Sequence, residues 1–170
     1  PTSICQSQVA VALQNDGKAR VYATSYNNGS HDNCGIDYFR VSRDNGPFVE
    51  FINLDCSDLN KSVGIKLKVV DVTGLESLCA STTIVRDDAK PTLTCPPTIS
   101  FSCGANYNNP TQTGIPTAVD NCSVQSTNYT NSVNLNSCGI GTVVRTWTAT
   151  DGSGNTSSCL QTINITDNTS

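Results

Sequence analysis

The sequence has 170 residues, of which 14% are charged, and its formal net charge is −4. This balance excludes nucleic acid as a partner, because no basic patch is available to neutralise phosphates, and it argues equally against an anionic membrane surface. No apolar run approaches the ~20 residues that a membrane-spanning helix needs, so we expect no membrane insertion.

Short alternating runs rich in Val, Ile and Thr fill the first half of the chain and predict an all-β fold. In chain order they are residues 9–13, 19–23, 36–42, 48–54, 63–71 and 79–85. Asp44-Asn45-Gly46 is a good hairpin signal between the third and fourth runs. In the fifth run Ile65 and Leu67 alternate with Lys66 and Lys68, which indicates a strand with one buried face.

Residues 86–95, with the sequence R-D-D-A-K-P-T-L-T-C, interrupt this pattern and read as a linker. Pro91 cannot continue a sheet ladder, and a new strand begins at Thr92. The second half then repeats the plan of the first: Cys95 matches Cys5, Asp120-Asn121-Cys122 matches Asp32-Asn33-Cys34, and residues 143–151 match residues 63–71. We therefore predict two immunoglobulin-like β-sandwich domains of about seven short strands each, residues 1–87 and 88–170.

The two ends of the chain resemble the same linker. Residues 166–170 followed by residues 1–5 give T-D-N-T-S-P-T-S-I-C, the pattern of residues 86–95. We therefore expect one period of a head-to-tail array, in which Ser170 adjoins Pro1 of the next copy. The join is either a peptide bond within one long chain or a contact in which a terminal strand completes the neighbour's sheet.

Three segments of the second half resemble the hyalin repeat and the tandem immunoglobulin-like repeats of very long bacterial surface proteins. They are T-L-T-C-P-P-T-I-S-F at 92–101, V-D-N-C at 119–122 and R-T-W-T-A-T-D-G-S-G-N-T-S-S-C at 145–159. The first half resembles a sister repeat, through N-G-S-H-D-N-C-G at 28–35 and D-C-S-D-L at 55–59. The resemblance implies an extracellular or cell-surface protein that serves as a stalk, adhesin or fibre.

Nine cysteines without a Cys-x-x-Cys pair indicate disulfides and an oxidising compartment rather than a zinc site. In this sandwich the first strand runs beside the last, which places Cys5 near Cys79 and Cys95 near Cys159, the pairs that the hyalin resemblance also implies. Cys34 and Cys56 then pair by elimination. In the second half, matching loop ends favour Cys103–Cys138 with Cys122 unpaired, and the alternative is Cys122–Cys138 with Cys103 free.

Acidic residues cluster where the linker enters each domain, and calcium binds such clusters of oxygen ligands. The predicted site at the internal linker consists of Asp87, Asp88, Asp120, Asp151 and Asn155. The equivalent site between repeats consists of Asp32, Asp71 and Asp167 of the preceding copy. The competing interpretation is that these side chains only cap turns.

No reaction centre is apparent, so we expect no enzyme. His31 is the single histidine, it lies in a polar loop, and no nucleophile-elbow motif accompanies it. Trp147 is expected in the core, with Arg145 on the same face covering the indole edge. Seven Asn-x-Ser/Thr sequons permit glycans without requiring them.

We predict a structural repeat unit of an extracellular fibre or stalk, whose partners are copies of itself. The alternative is an adhesin or a carbohydrate-binding accessory module. Such a module would need an exposed aromatic surface, supplied by Tyr22, Tyr26, Tyr38, Tyr107 or Tyr129.

Overall fold

The computed structural model describes residues 1–167 and confirms the all-β fold of immunoglobulin-like sandwiches. The chain divides into two compact units, of which the first is Pro1–Asp88 and the second begins at Ala89. Ser170, the predicted contact of the tail, lies outside the described residues.

The first unit contains six strands in two sheets. They are β1 (Gln8–Ala12), β2 (Lys18–Tyr22), β3 (Ile36–Arg43), β4 (Phe51–Asp55), β5 (Ser62–Asp71) and β6 (Glu76–Arg86). The larger sheet has the order β1-β6-β5-β3, with β1 parallel to β6, and the smaller sheet pairs β2 with β4. Short 3-10 turns at Ala23–Tyr26 and Cys56–Asp58 follow β2 and β4.

Strand β5 has the predicted period of two. Val63, Ile65, Leu67 and Val69 are buried, whereas Lys66 and its neighbours on the opposite face are more exposed. Alternation of this kind lets one side of the sheet form the core while the other meets water.

The predicted hairpin forms only in part. Asp44 and Asn45 both have positive φ, as a two-residue hairpin turn requires, and Val41 and Val49 form a bridge across it. Beyond this bridge the chain leaves the sheet, and β4 pairs with β2 instead. The chain therefore crosses from one sheet to the other at this point, and the hairpin stays short.

The part of the second unit that the structure describes also contains six strands, where about seven were expected in each unit. They are β7 (Thr92–Thr94), β8 (Ile99–Ser102), β9 (Thr117–Val119), β10 (Val124–Leu135), β11 (Gly141–Asp151) and β12 (Thr156–Thr166), with a one-turn helix α1 at Pro110–Thr113. The large sheet has the order β10-β11-β12-β8, and β7 pairs with β9. Because β10 turns directly into β11, no strand within residues 89–167 corresponds to β4.

An apolar cluster and a buried polar network form the core of the second unit. Val143, Ile163 and Ile165 form the apolar cluster. Trp147 is buried as expected, and its indole N–H donates to Gln161 Oε1 at 3.2 Å. Arg145 is also fully buried, rather than lying at the edge of the core.

In each unit one disulfide joins the N-terminal segment to the last strand. Cys5 is bonded to Cys79 and Cys95 to Cys159, the pairs that topology and resemblance imply. Each bond closes a long loop, with sequence separations of 74 and 64 residues.

The other predicted pairings are wrong. Cys34 is a free thiol, so it cannot pair with Cys56, which is disulfide-bonded elsewhere. The loop of Cys34 lies at the end of β5, where Val72 N donates to Gly35 O, whereas Cys56 lies before the start of that strand. Ten residues of β-strand span about 30 Å, far beyond the reach of a disulfide.

In the second unit Cys103 and Cys138 lie at one end of the sandwich, but both are free thiols. The Cys103 thiol donates to the Cys138 carbonyl oxygen at 2.8 Å, so the side chain meets the backbone instead of the second sulfur. Cys122 is disulfide-bonded, which contradicts both the unpaired prediction and the Cys122–Cys138 alternative. It follows β9, and the length of β11 separates its loop from Cys138.

Candidate functional site

The first unit brings Asp71 to the end of β5, in a turn that the sequence D-V-T-G specifies. Asp71 Oδ1 accepts hydrogen bonds from Thr73 N at 2.8 Å, Thr73 Oγ1 at 2.7 Å and Leu75 N at 3.0 Å. Gly74 supplies the positive φ of 84° that the turn needs. One carboxylate oxygen therefore organises the whole turn and leaves Oδ2 for another partner.

Asp32 uses its carboxylate in the same way. Its Oδ1 accepts from Cys34 N at 2.7 Å, and its Oδ2 lies 3.1 Å from the ammonium nitrogen of Pro1. Asp71 Oδ2 lies 3.8 Å from the same nitrogen. The structure thus brings together the two predicted acids of this unit, and they share one cation.

Hydrogen bonds keep both carboxylates ionised. The backbone N–H of Cys34, and after it the ammonium of Pro1, lower the pKa of Asp32 below its ordinary value of 3.8. The Thr73 hydroxyl lowers the pKa of Asp71, and burial opposes this effect only in part.

The second unit repeats this arrangement in the loops that correspond. Asp120 Oδ1 accepts from Cys122 N at 3.0 Å, and Asp151 Oδ1 accepts from Ser153 N and Asn155 N, both at 2.8 Å. Carboxylate oxygens of Asp120 and Asp151 lie within 4.8 Å of one another. Each unit therefore presents a paired-aspartate site, Asp32 with Asp71 and Asp120 with Asp151.

The second pair has a free ligand atom. Asp151 Oδ2 accepts from Asn155 Nδ2 at 2.9 Å, but Asp120 Oδ2 is buried without a hydrogen-bond partner among residues 1–167. Burial would raise the pKa of Asp151, yet the hydrogen bonds from Asn155, Ser153 and Gly154 outweigh it and lower the pKa. An orphaned carboxylate oxygen beside a second carboxylate suits a hard cation such as calcium.

The remaining predicted ligands are Asp87, Asp88 and Asp167. Asp87 and Asp88 are the last residues of the first unit, and Asp167 is exposed after β12. Their participation in calcium binding stays a prediction. Asp32 and Asp71 could be anticipated from the turn-forming D-N-C and D-V-T-G sequences, but the role of the Pro1 ammonium could not.

Stability of the first unit is expected to fall in acid. A lowered folded pKa means that ionised Asp71 favours the folded state at neutral pH, and this contribution is lost as the pH falls below about 4. Asp71→Asn should therefore lower the melting temperature at pH 7 and flatten its decrease between pH 5 and pH 2.5, measured by circular dichroism. The exposed control Asp37→Asn should retain the acid dependence of the parent protein, and an unchanged profile for Asp71→Asn would contradict the assignment.

The aromatic side chains divide into buried and exposed sets. Tyr26 is fully buried and hydrogen-bonds Thr83 Oγ1 at 2.7 Å. Tyr129 packs on Trp147 with ring centroids 5.0 Å apart but stays 36% exposed. Tyr22 and Tyr38 are exposed and line a shallow depression of about 260 Å³ in the first unit, with Arg40 and Glu50 among its other residues. His31 is also exposed, and its Nδ1 lies 3.4 Å from the carbonyl oxygen of Gly29 in the same loop.

No family model and no curated protein matches the chain. Among solved structures it is similar to the extracellular domain of protocadherin GammaB4 (15% identity, TM-score 0.37, 97% of this chain, 32% of that chain). It is also similar to protocadherin Gamma C5 EC1-3 (11% identity, TM-score 0.38, 93% of this chain, 65% of that chain). Another match is the M60 catalytic domain with the CBM51-1 and CBM51-2 domains of ZmpB from Clostridium perfringens (18% identity, TM-score 0.32, 78% of this chain, 15% of that chain). The chain thus spans about a third of the protocadherin GammaB4 chain.

No helix within residues 1–167 is long and apolar enough to cross a membrane.

Proposed function

We propose that the chain is a structural unit of an extracellular fibre or stalk, in which copies associate head to tail. The observation that carries this proposal is the recurrence of the paired-aspartate site in equivalent loops of both units. The long-range disulfide of each unit fits an oxidising, extracellular compartment. The matching sequences at 166–170, 1–5 and 86–95 give the same chemistry to the internal linker and to the proposed join.

The role of Pro1 suggests how a join would change the first unit. As a chain terminus, Pro1 places an ammonium beside Asp32 and Asp71. A peptide bond to a preceding residue would convert this nitrogen into a proline amide. Such a nitrogen carries no charge and has no N–H to donate. The two Oδ2 atoms would then be left without their cation, and we propose that calcium replaces it there.

Calcium would bind in the same manner in the second unit. Asp120, Asp151 and the side-chain carbonyl of Asn155 would supply oxygen ligands, and Asp87 and Asp88 are proposed to complete the set. Asp167 of the preceding copy is proposed to do so for Asp32 and Asp71. The cation would neutralise the carboxylates and stiffen the loops that carry them.

A fusion of two copies through a Ser170–Pro1 peptide bond should therefore bind one more calcium ion than two separate chains. Isothermal titration calorimetry would count the ions, with dissociation constants of about 10⁻⁴–10⁻³ M expected for an extracellular module. Asp71→Asn in the second copy should abolish the additional ion, and the same substitution in the first copy, whose site is closed by the ammonium, should not. Equal stoichiometry per chain in both proteins would refute the cation-exchange model.

Electron microscopy of the native material tests the fibre itself. The expected image is an extended filament with a two-domain repeat. Compact isolated particles would overturn the head-to-tail proposal, whatever the result of the calcium titration.

A carbohydrate-binding role is the second proposal, and the exposed Tyr22 and Tyr38 support it. Aromatic faces beside polar groups suit the stacking and hydrogen bonding of a sugar. Titration with oligosaccharides should then shift the ring resonances of these tyrosines, and unchanged resonances would exclude this surface.

A further inference from the structure

Strand β10 forms an open edge of the four-stranded sheet in the second unit. It pairs with β11 over residues 124–135, and within the part of the chain that the structure describes no other strand pairs with it. Eight of its twelve residues are exposed. Alternate residues therefore direct their N–H and C=O groups away from the sheet, where another strand could bind them.

Natural edge strands are protected by charges, proline, bulges or a covering segment. The sequence of β10, V-Q-S-T-N-Y-T-N-S-V-N-L, contains neither a charged residue nor proline, and its register shift lies at the start, between Val124 and Ser126. The equivalent edge of the first unit is β3, which carries Asp37, Arg40 and Arg43 and is bridged on its outer side by Val49. Edge strand β3 of the first unit is thus protected against pairing with another strand, whereas the equivalent edge strand β10 of the second unit is not.

We propose that β10 pairs antiparallel with β10 of a second copy of this chain, so that neighbouring chains associate side by side. A two-fold axis perpendicular to the sheet places residues of the same face opposite one another, and no like charges meet because the strand has none. Tyr129 and Val133 share the inner face, are 36% and 51% exposed, and become covered by the partner strand. This contact uses the side of the second unit and does not depend on the head-to-tail proposal.

The test measures the association state of the unglycosylated chain, produced in a bacterial periplasm. Sedimentation velocity would follow association at protein concentrations up to about 0.5 mM. Complexes with millimolar dissociation constants are populated at such concentrations. The expected result is a concentration-dependent dimer. Thr130→Lys should weaken dimerisation at least tenfold, because the symmetry brings the two lysines opposite or nearly opposite each other. Mixing Thr130→Lys with Thr130→Glu chains should restore the dimer.

Thr146→Lys is the matched control. Thr146 lies directly opposite Thr130 on the same face but on the inner strand β11, so the lysine there should leave dimerisation unchanged. Melting curves followed by Trp147 fluorescence would verify that each variant is folded.

Three results would overturn the proposal: a monomer throughout the concentration range, an equal loss of dimer in the Thr146→Lys control, or a glycan on Asn128 of the native protein. The third would matter because Asn128-Tyr129-Thr130 is a sequon in the middle of the strand, where a sugar would fill the edge.

Discussion

Replacing Cys5 and Cys79 together by serine is expected to lower the melting temperature of the first unit by at least about 12 °C. The bond joins residues 74 apart, and a loop of this length contributes about 3–4 kcal/mol by restricting the unfolded chain. In a domain of this size each kcal/mol corresponds to about 4–8 °C. The bond also reinforces the isolated bridges Thr2–His31 and Cys5–Asn27, which pair the N-terminal segment with the body of the unit.

Differential scanning calorimetry would measure the effect, and Cys34→Ser is the matched control. Cys34 is an exposed free thiol in the same unit, and its substitution should change the free energy of unfolding by no more than about 0.5 kcal/mol. Equal melting of the parent and the Cys5→Ser/Cys79→Ser variant would show that packing alone holds the first strand. A large loss from Cys34→Ser would instead indicate that this thiol forms a bond.

The strands and the long-range disulfides could be predicted because their signals are local or topological. Alternation along β5 identifies its buried face from neighbouring residues alone, and the parallel pairing of first and last strands follows from the sandwich. Cys34 and Cys56 could not be placed in this way. Elimination treats cysteines as if any two could meet, whereas these two lie at opposite ends of a ten-residue strand.

The candidate site could be predicted only as far as its acids act through short-range turns. Asp71 and Asp151 are recognisable because each precedes a Gly-containing turn whose N–H groups they accept. The contacts of the Pro1 nitrogen with Asp32 and Asp71 join residues that are far apart in the sequence, which no local pattern records. The burial of Arg145 could not be predicted for the same reason, because its hydrogen-bond acceptors belong to segments distant in the sequence.

Arg145→Ala is expected to destabilise the second unit by about 3–5 kcal/mol. The guanidinium is fully buried, and it donates to Asn131 Oδ1 at 2.9 Å, Thr113 Oγ1 at 2.6 Å and the Tyr107 carbonyl at 2.5 Å. It also lies 4.3 Å from the ring centroid of Tyr129, a cation–π contact. Removal of the side chain would leave a cavity and three acceptors without their donor.

Denaturant unfolding followed by fluorescence of Trp147, the single tryptophan, would report the second unit specifically. Arg145→Met keeps most of the volume, so the difference between the Met and Ala variants separates packing from hydrogen bonding. Arg145→Lys should recover little, because one ammonium cannot reproduce the planar fork that reaches three acceptors. Thr146→Ala, one residue along β11 and on the opposite face, is the control and should cost no more than about 0.5 kcal/mol.

If Arg145→Met were as stable as the parent, the polar network would be replaceable by packing, as happens for some buried charges in other proteins. We expect the opposite here. The acceptors come from β10, α1 and the loop at Tyr107, so the guanidinium joins three segments of the second unit. A side chain that fills the same space without donors would leave those segments packed against one another but not bonded, and Asn131 and Thr113 would lose their partner inside the core.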